Sequence, residues 1–330
     1  MGKHFKTLFM DVLKDIKHVP DALKGGAIAI GNFDGVHRGH QAVLDVAKSA
    51  ADKHGGIAGV MAFDPHPREF FQPSKPIFRL SQPERKLELF EAFGIDLAVI
   101  LNFNKELSSL SAEDFVSKIL VEGLEVSHVV TGYNFFFGHK RGGNPDLMRK
   151  LGEKHGFGVD IVEAQGQAGD IYSSSRIREL LQEGDPRGAA EMLGYWWRVR
   201  GVVTGGQRIG TWLGFPTANI AIEQAQEFRH GIYAVRVYLG HERFDGAAYL
   251  GTRPTFDDGP PVLETFLFDF DEKIYGKTIE IELVDFVRED ARFPTPEALK
   301  EQMMVDCEKA RVILREIGEN DPMGAYPLSL

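Results

Sequence analysis

The stretch AIAIGNFDGVHRGHQAVLDVAKSAADKHG, Ala27 to Gly55, decides the fold. Ala27 to Ile30 is a short apolar run that reads as a buried strand. From Val43 onward the apolar positions Val43, Leu44, Ala47, Ala50 and Ala51 recur at helical spacing, and Gly55 and Gly56 end them as a C-cap does. Between strand and helix lie His37 and His40, on either side of Gly39, in a chain with only 11 histidines. A helix start offers unpaired N–H groups and the positive end of a dipole, so phosphate can sit there, and glycine lets the backbone come close. The two imidazoles would add donors where negative charge builds up in an in-line displacement. The plainer alternative is one helix-capping histidine and one surface histidine.

Outward from this junction, IAGVMAF, PERKLELFEAFG, DLAVILNF, SAEDFVSKILVEGL and HVVTGYNF continue the alternation of strand and helix to about Asp160. That pattern predicts an α/β fold with a parallel sheet and crossover helices, whose ligands bind at strand-to-helix junctions. After about Tyr195 the pattern changes. WWRVRGVVTG, GIYAVRVYLG, RFDGAAYLG, LETFLFDF and TIEIELVDFVRE are β-rich and separated by Gly, Asp or Pro turns, which predicts an antiparallel barrel or sandwich. TPEALKEQMMVDCEKARVILREIG then reads as a closing helix with Thr295 as N-cap and Pro296 in its first turn. The boundary is expected near EGDPRGAAEMLGYWW, dividing the chain into residues 1–190 and 191–330.

Two domains also suit 330 residues, since single cores usually stop growing by about 250–300. With 43% hydrophobic residues the chain buries a real core, and a formal net charge of -10 argues against general nucleic-acid binding. Cys307 is the only cysteine, which excludes an internal disulfide or a cysteine-based zinc site and fits a reducing cytoplasm. No signal-peptide core or membrane-spanning apolar run is expected.

Other stretches carry chemistry. In IYSSSRIREL, Ser173, Ser174 and Ser175 precede Arg176, Arg178 and an amphipathic helix; hydroxyls and an arginine fork suit phosphate oxygens, although serine runs also simply cap helices. FDPHPREFF is a proline-stiffened loop after a strand. In GYNFFFGHKRGGN the three adjacent phenylalanines cannot all enter one core face, so an aromatic run beside polar groups is a candidate cradle for a flat heterocycle, with a core cluster as the alternative. In LGFPTANI, Thr217 and Asn219 point to one face of an extended stretch, where two hard neutral oxygens would share a Mg²⁺ bound to ATP phosphates. Glu264, in an apolar strand, is placed either to take a proton from a substrate alcohol or to form a strand-end salt bridge.

The order GNFDGVHRGH, FDPHPREFF, AEDFV, GYNFFFGHKRGG, SSSRIREL and GFPTANI resembles the bifunctional riboflavin kinase/FMN adenylyltransferases of bacteria, also called prokaryotic FAD synthetases. The resemblance runs from about Gly31 to the C-terminal helix. It implies a Rossmann-like nucleotidyltransferase of the His-x-Gly-His class over residues 1–190 and a β-barrel riboflavin kinase with a terminal helix over 191–330. Riboflavin and ATP would give FMN in the second, and FMN and ATP would give FAD and pyrophosphate in the first, with Mg²⁺ in both.

By the same resemblance His37 and His40 contact ATP phosphates, and Ser173, Ser174, Ser175 and Arg178 form a second phosphate signature, with serine at 175 where the family usually has threonine. Asn32, Phe33, Gly35, Gly39, Asn134 and Gly210 would line nucleotide or flavin. Thr217 and Asn219 would hold Mg-ATP, and Glu264 would act as base on the ribityl hydroxyl. Gly205, Thr211 and Tyr249 stand where the family commonly has histidine, arginine and asparagine. The alternatives are therefore an adenylyltransferase with an impaired kinase barrel, or a flavin-binding or delivery protein without turnover. The expected partners are small molecules, with no nucleic acid and no membrane, for a cytoplasmic monomer or weak homo-oligomer.

Overall fold

The computed structural model describes residues 10–167, 169–205, 215, 217–222, 227–251, 261–318, 321 and 323. The chain divides into two compact units, residues 1–173 and 174–330.

In the first unit, β1 (Asp11–Leu13), β2 (Ala27–Ile30), β3 (Ala58–Asp64), β4 (Leu97–Asn102), β5 (His128–Gly132) and β6 (Gly158–Val162) form one sheet, ordered β1-β4-β3-β2-β5-β6. Every pairing is parallel, as the alternation predicts. The helices between are α1 (Arg38–His54), α2 (Pro67–Phe71), α3 (Pro83–Ala92), α4 (Lys105–Ser109), α5 (Ala112–Asp114) and α6 (Pro145–His155), followed by a small hairpin of β7 (Gly166–Gln167) and β8 (Asp170–Ile171). The chain leaves β2 toward β3 and β4 on one side, then returns to place β5 and β6 on the other. The order thus reverses between β2 and β5, and the crevice outside their carboxyl ends is where such sheets take ligands.

Helix α1 is capped as its sequence demands: Gly55 takes φ 66°, a left-handed conformation that costs glycine nothing. One stretch departs from expectation. Phe115–Gly123 winds as a π-helix rather than an ordinary one, with the Leu124 N–H bonded to the Ile119 carbonyl five residues back at 3.1 Å. The wider turn puts Phe115, Val116, Ile119 and Leu120 together in the core.

The second unit opens with α7 (Ser174–Glu183) and α8 (Pro186–Leu193). Strands β9 (Arg198–Val202), β10 (Thr217–Ala221), β11 (Gly231–Leu239), β12 (Glu242–Gly251), β13 (Val262–Leu267) and β14 (Thr278–Arg288) form a sheet ordered β10-β13-β12-β11-β14-β9, all antiparallel. Its two outer strands are joined by an antiparallel bridge between Thr204, just past β9, and Asn219 on β10, with the Thr204 N–H on the Asn219 carbonyl at 2.8 Å. The sheet thereby curls toward a closed barrel, which removes exposed edges.

One face of each strand is apolar: Ala218, Ile220, Leu263, Leu250 and Ala248 are 5% exposed or less. Across β11, β12 and β14 the sheet carries α9 (Pro296–Gly318), whose Ala310 and Leu314 pack with Ala234 and Ala247. Thr295 caps α9 through its hydroxyl, which accepts from the Ala298 N–H at 3.2 Å. Arg288 grips the buried Asp306 on the same helix at 2.7 and 3.0 Å.

Candidate functional site

The loop from Gly31 to His37 leaves β2 at the switch point and enters α1. It is tightly wound: Phe33, Gly35 and Val36 all have positive φ (51°, 78° and 37°), which is costly for the two that are not glycine. Such a loop persists only when its surroundings dictate it, and here Asp34 does so. Its buried carboxylate accepts from the backbone N–H groups of Leu80 and Ser81 at 3.0 and 3.1 Å, and the Ser81 hydroxyl in turn accepts from the Gly35 N–H at 2.9 Å. Lys86, on α3, donates to the Asn32 carbonyl at 3.0 Å.

His37 is the N-cap of α1: its Nδ1 accepts from the His40 N–H at 3.3 Å. That bond requires a bare Nδ1, so the neutral ring carries its proton on Nε2 and presents a donor there. The His37 and His40 rings stack with centroids 3.7 Å apart and 19° between planes. Gly39 makes this possible, because a Cβ there would lie 3.1 Å from the His37 ring and 3.4 Å from the Tyr172 carbonyl. Burial, then the neighbouring His37 and Lys86, hold the His40 imidazole well below the usual histidine range. Its Nδ1 is buried and bonded to none of the described residues. The two rings thus stand at a helix N-terminus, able to donate hydrogen bonds without both carrying charge. His37 caps the helix and keeps its Nε2 as a donor, and His40 is half-buried rather than a surface histidine.

Phe33 is 1% exposed, with its ring 5.1 Å from His40 and 5.6 Å from Phe90, so it props the histidines from beneath. Asn32 and Asn134 are exposed at the carboxyl ends of β2 and β5. The three phenylalanines split as one strand face demands: Phe135 and Phe137 stack at 5.7 Å, Phe137 in the core, while Phe136 is exposed under the Arg141 guanidinium at 4.5 Å. The loop after β3 is tied down by Arg79, whose Nε donates to Glu69 at 2.9 Å and whose Nη1 donates to Asp64 at 3.2 Å. Sequence reasoning missed Asp34, Arg79, Ser81 and Lys86. For Arg79, Ser81 and Lys86 the only signal was the largely polar stretch RLSQPERK between two apolar runs, and Asp34 stood inside the histidine stretch itself.

Ser173 ends the first unit. In the second, α7 begins at Ser174, so Ser174 and Ser175 lie in its first turn and Arg178 one turn on, partly buried, while Arg176 pairs with Glu179 and Glu183.

In the barrel, Asn219 on β10 is directly opposite Glu264 on β13, and Glu264 is directly opposite Tyr249 on β12. Residues opposed across antiparallel strands share a face, so the three form one polar row. Asn219 is 5% exposed, Glu264 and Tyr249 partly so. Thr217, two residues from Asn219 along β10, shares the same face. The Tyr249 hydroxyl donates to Asp290 at 3.0 Å, and its ring lies over Gly251, where a Cβ would come within 2.1 Å of the phenol oxygen. Hydroxyl, amide and carboxylate oxygens form the hard donor set that a divalent cation such as Mg²⁺ takes. Gly205 is exposed with open space around it; Gly210 and Thr211 lie outside the described residues.

Residues 19–176 match the FAD synthetase family, and residues 193–314 match the riboflavin kinase family. The chain is 36% identical over 305 residues to the bifunctional riboflavin kinase/FMN adenylyltransferase of Pseudomonas fluorescens, covering 92% of this chain and 98% of that one. Its identity to the Haemophilus influenzae enzyme of the same name is 34%, with the same coverage, and to that of Escherichia coli K12 33%, covering 92% and 97%. A crystal structure titled as a macrolide-efflux protein from Streptococcus pneumoniae superposes with a TM-score of 0.82 at 25% identity, over 92% of this chain and 99% of that one. Among the described residues no helix is long and apolar enough to cross a membrane. With a histidine pair at the switch point of one sheet, an Asn-Glu row on the other and matches along both halves, the chain belongs to the family of bifunctional riboflavin kinase/FMN adenylyltransferases.

Proposed function

We propose that the chain makes FAD in two ATP-dependent steps, with residues 191–330 phosphorylating riboflavin to FMN and residues 1–190 joining FMN to AMP with release of pyrophosphate. The observation that carries the reading is the opposition of Asn219 and Glu264, which sets a carboxylate beside an amide oxygen on a sheet curled toward a barrel, in a chain that also holds the stacked histidine pair.

In the kinase half, Glu264 takes the proton from the ribityl hydroxyl as its oxygen attacks the γ-phosphorus of ATP. Thr217 and Asn219 would hold Mg²⁺, which when bound neutralises phosphate charge. In the adenylyltransferase half, His37 and His40 donate to phosphate oxygens at the α1 N-terminus, Gly35 and Gly39 let the backbone approach, and Asn32 and Asn134 line the crevice. Phe33 acts through its support of His40. Ser173, Ser174, Ser175 and Arg178 bind phosphate oxygens through hydroxyls and guanidinium. The enzyme works in the cytoplasm on small molecules, as a monomer or weak homo-oligomer.

Incubation of the purified protein with riboflavin, ATP and Mg²⁺, followed by chromatography of the flavins, tests the reading. FMN and FAD are both expected, and the appearance of neither rejects it. The bond between Tyr249 and Asp290 favours one second reading, an adenylyltransferase whose barrel binds flavin without phosphorylating it. In that case FMN supplied directly gives FAD, while riboflavin gives nothing.

A further inference from the structure

Adenylyl transfer forms a bond from an FMN phosphate oxygen to the α-phosphorus of ATP and breaks the bond from that phosphorus to the bridging oxygen. The electron pair of the broken bond leaves with pyrophosphate, so negative charge accumulates on the departing group. Hydrogen bonds from neutral groups share that charge but do not cancel it. The His37–His40 pair does not bring two charges to it: His37 Nδ1 is occupied as an acceptor, and rings 3.7 Å apart do not both take a proton. Arg79 is engaged by two carboxylates, Glu69 and Asp64.

Lys86 is arranged differently. Its amine reaches across from α3 to the loop that enters α1, where it donates to the Asn32 carbonyl at 3.0 Å, a neutral hydrogen-bond partner, while the carboxylates of Asp34, Asp64 and Glu69 act on it only through space. It is close enough to His40 to disfavour protonation of that ring. An ammonium has three donors, so the bond to Asn32 aims the group while others remain for a ligand.

We propose that Lys86 supplies a positive charge that stabilises the departing pyrophosphate in FAD formation, held in place by the Asn32 carbonyl. This rests on the reading of His37 and His40 as the phosphate site. The charged and titratable groups around Lys86 are Asp34, Asp64 and Glu69 on one side of the balance and Arg79 and His40 on the other. Burial outweighs these carboxylates and lowers the Lys86 amine below the ordinary lysine value, so its charge is lost at a pH where an arginine in its place keeps it.

The test compares Lys86→Met and Lys86→Arg with the unaltered full chain, supplying FMN and ATP and measuring kcat and KM for FAD formation across pH. Urea unfolding and circular dichroism of each variant report that the half carrying Lys86 is folded. Lys86→Met is expected to lower kcat/KM for ATP about 100-fold. Lys86→Arg is expected to keep most of it and to carry the alkaline fall in rate to higher pH. Calorimetric titration with inorganic pyrophosphate should show weaker binding to Lys86→Met, with a shallower dependence on salt. A purely structural role for Lys86 would move neither the alkaline limb nor the salt dependence. Unchanged kinetics in Lys86→Met, or an equal loss in Lys86→Arg with an unmoved alkaline limb, overturns the proposal. His37→Ala separates the two levels: if it makes FAD at the normal rate, the phosphate site itself is misplaced, whereas if it is inactive while Lys86→Met is not, only the role of Lys86 falls.

Discussion

Asn219 and Glu264 are directly opposed across β10 and β13, although 45 positions of chain separate them. Opposed side chains have Cβ atoms about 5 Å apart, near enough for one to hold a nucleotide phosphate while the other serves the attacking hydroxyl. Glu264→Gln keeps the shape and removes the carboxylate proposed as base. FMN formation from riboflavin should fall at least about 100-fold, with FAD formation from supplied FMN unchanged, as read by chromatography of the flavins.

His37→Ala removes a cap and a donor together. Loss of the cap should lower stability by about 1 kcal/mol in urea unfolding, while FAD formation falls far more and FMN formation persists. A loss of both activities in folded protein would overturn the division of labour.

The His40 imidazole sits below its ordinary range because burial, then His37 and Lys86, disfavour its charged form. The unfolded chain therefore takes up a proton first as pH falls below about 6.5, and stability declines from there toward acid. His40→Gln should flatten that decline, measured as urea midpoints at pH 7.5 and 5.5.

Glu69 titrates the opposite way in cause but with the same sign. Its hydrogen bond to Arg79 holds the carboxyl below the ordinary value of 4.5, so the stability it contributes is present above that value and is lost as pH falls through the depressed one. In Glu69→Gln the acid limb of stability below about pH 4.5 should be shallower.

Asp34 is the pin of the histidine loop. Asp34→Ala leaves the N–H groups of Leu80 and Ser81 buried without their acceptor, and should cost about 3 kcal/mol in urea unfolding. FAD formation should suffer beyond the stability loss, because Phe33 and Val36 then relax from positive φ and take the α1 entry with them.

Much of this was legible in residue order. Apolar periodicity announced the parallel sheet and the β-rich second half, and Thr295 announced its own cap, because each signal lies within one turn or one strand. The polar clamp around the histidine loop was not legible: Asp34 and its partners Leu80 and Ser81 are 46 and 47 positions apart, and nothing local distinguishes a loop aspartate that will be buried from one that will be solvated. Likewise Phe135, Phe136 and Phe137 read as one aromatic run, and only the strand exit sorted one to the surface and one to the core. The π-helical winding of Phe115–Gly123 has no glycine or proline before its last residue to mark it.

By itself the sequence determined which residue types exist for the chemistry and on what kind of element each stands, since periodicity, capping and turn residues act over a few positions. Tertiary structure alone decided the register that sets Asn219 against Glu264, the stacking of His37 on His40, and the approach of Lys86 to Asn32. Each depends on how far neighbouring elements slide or close before their apolar faces are buried, a quantity that no short stretch of chain encodes.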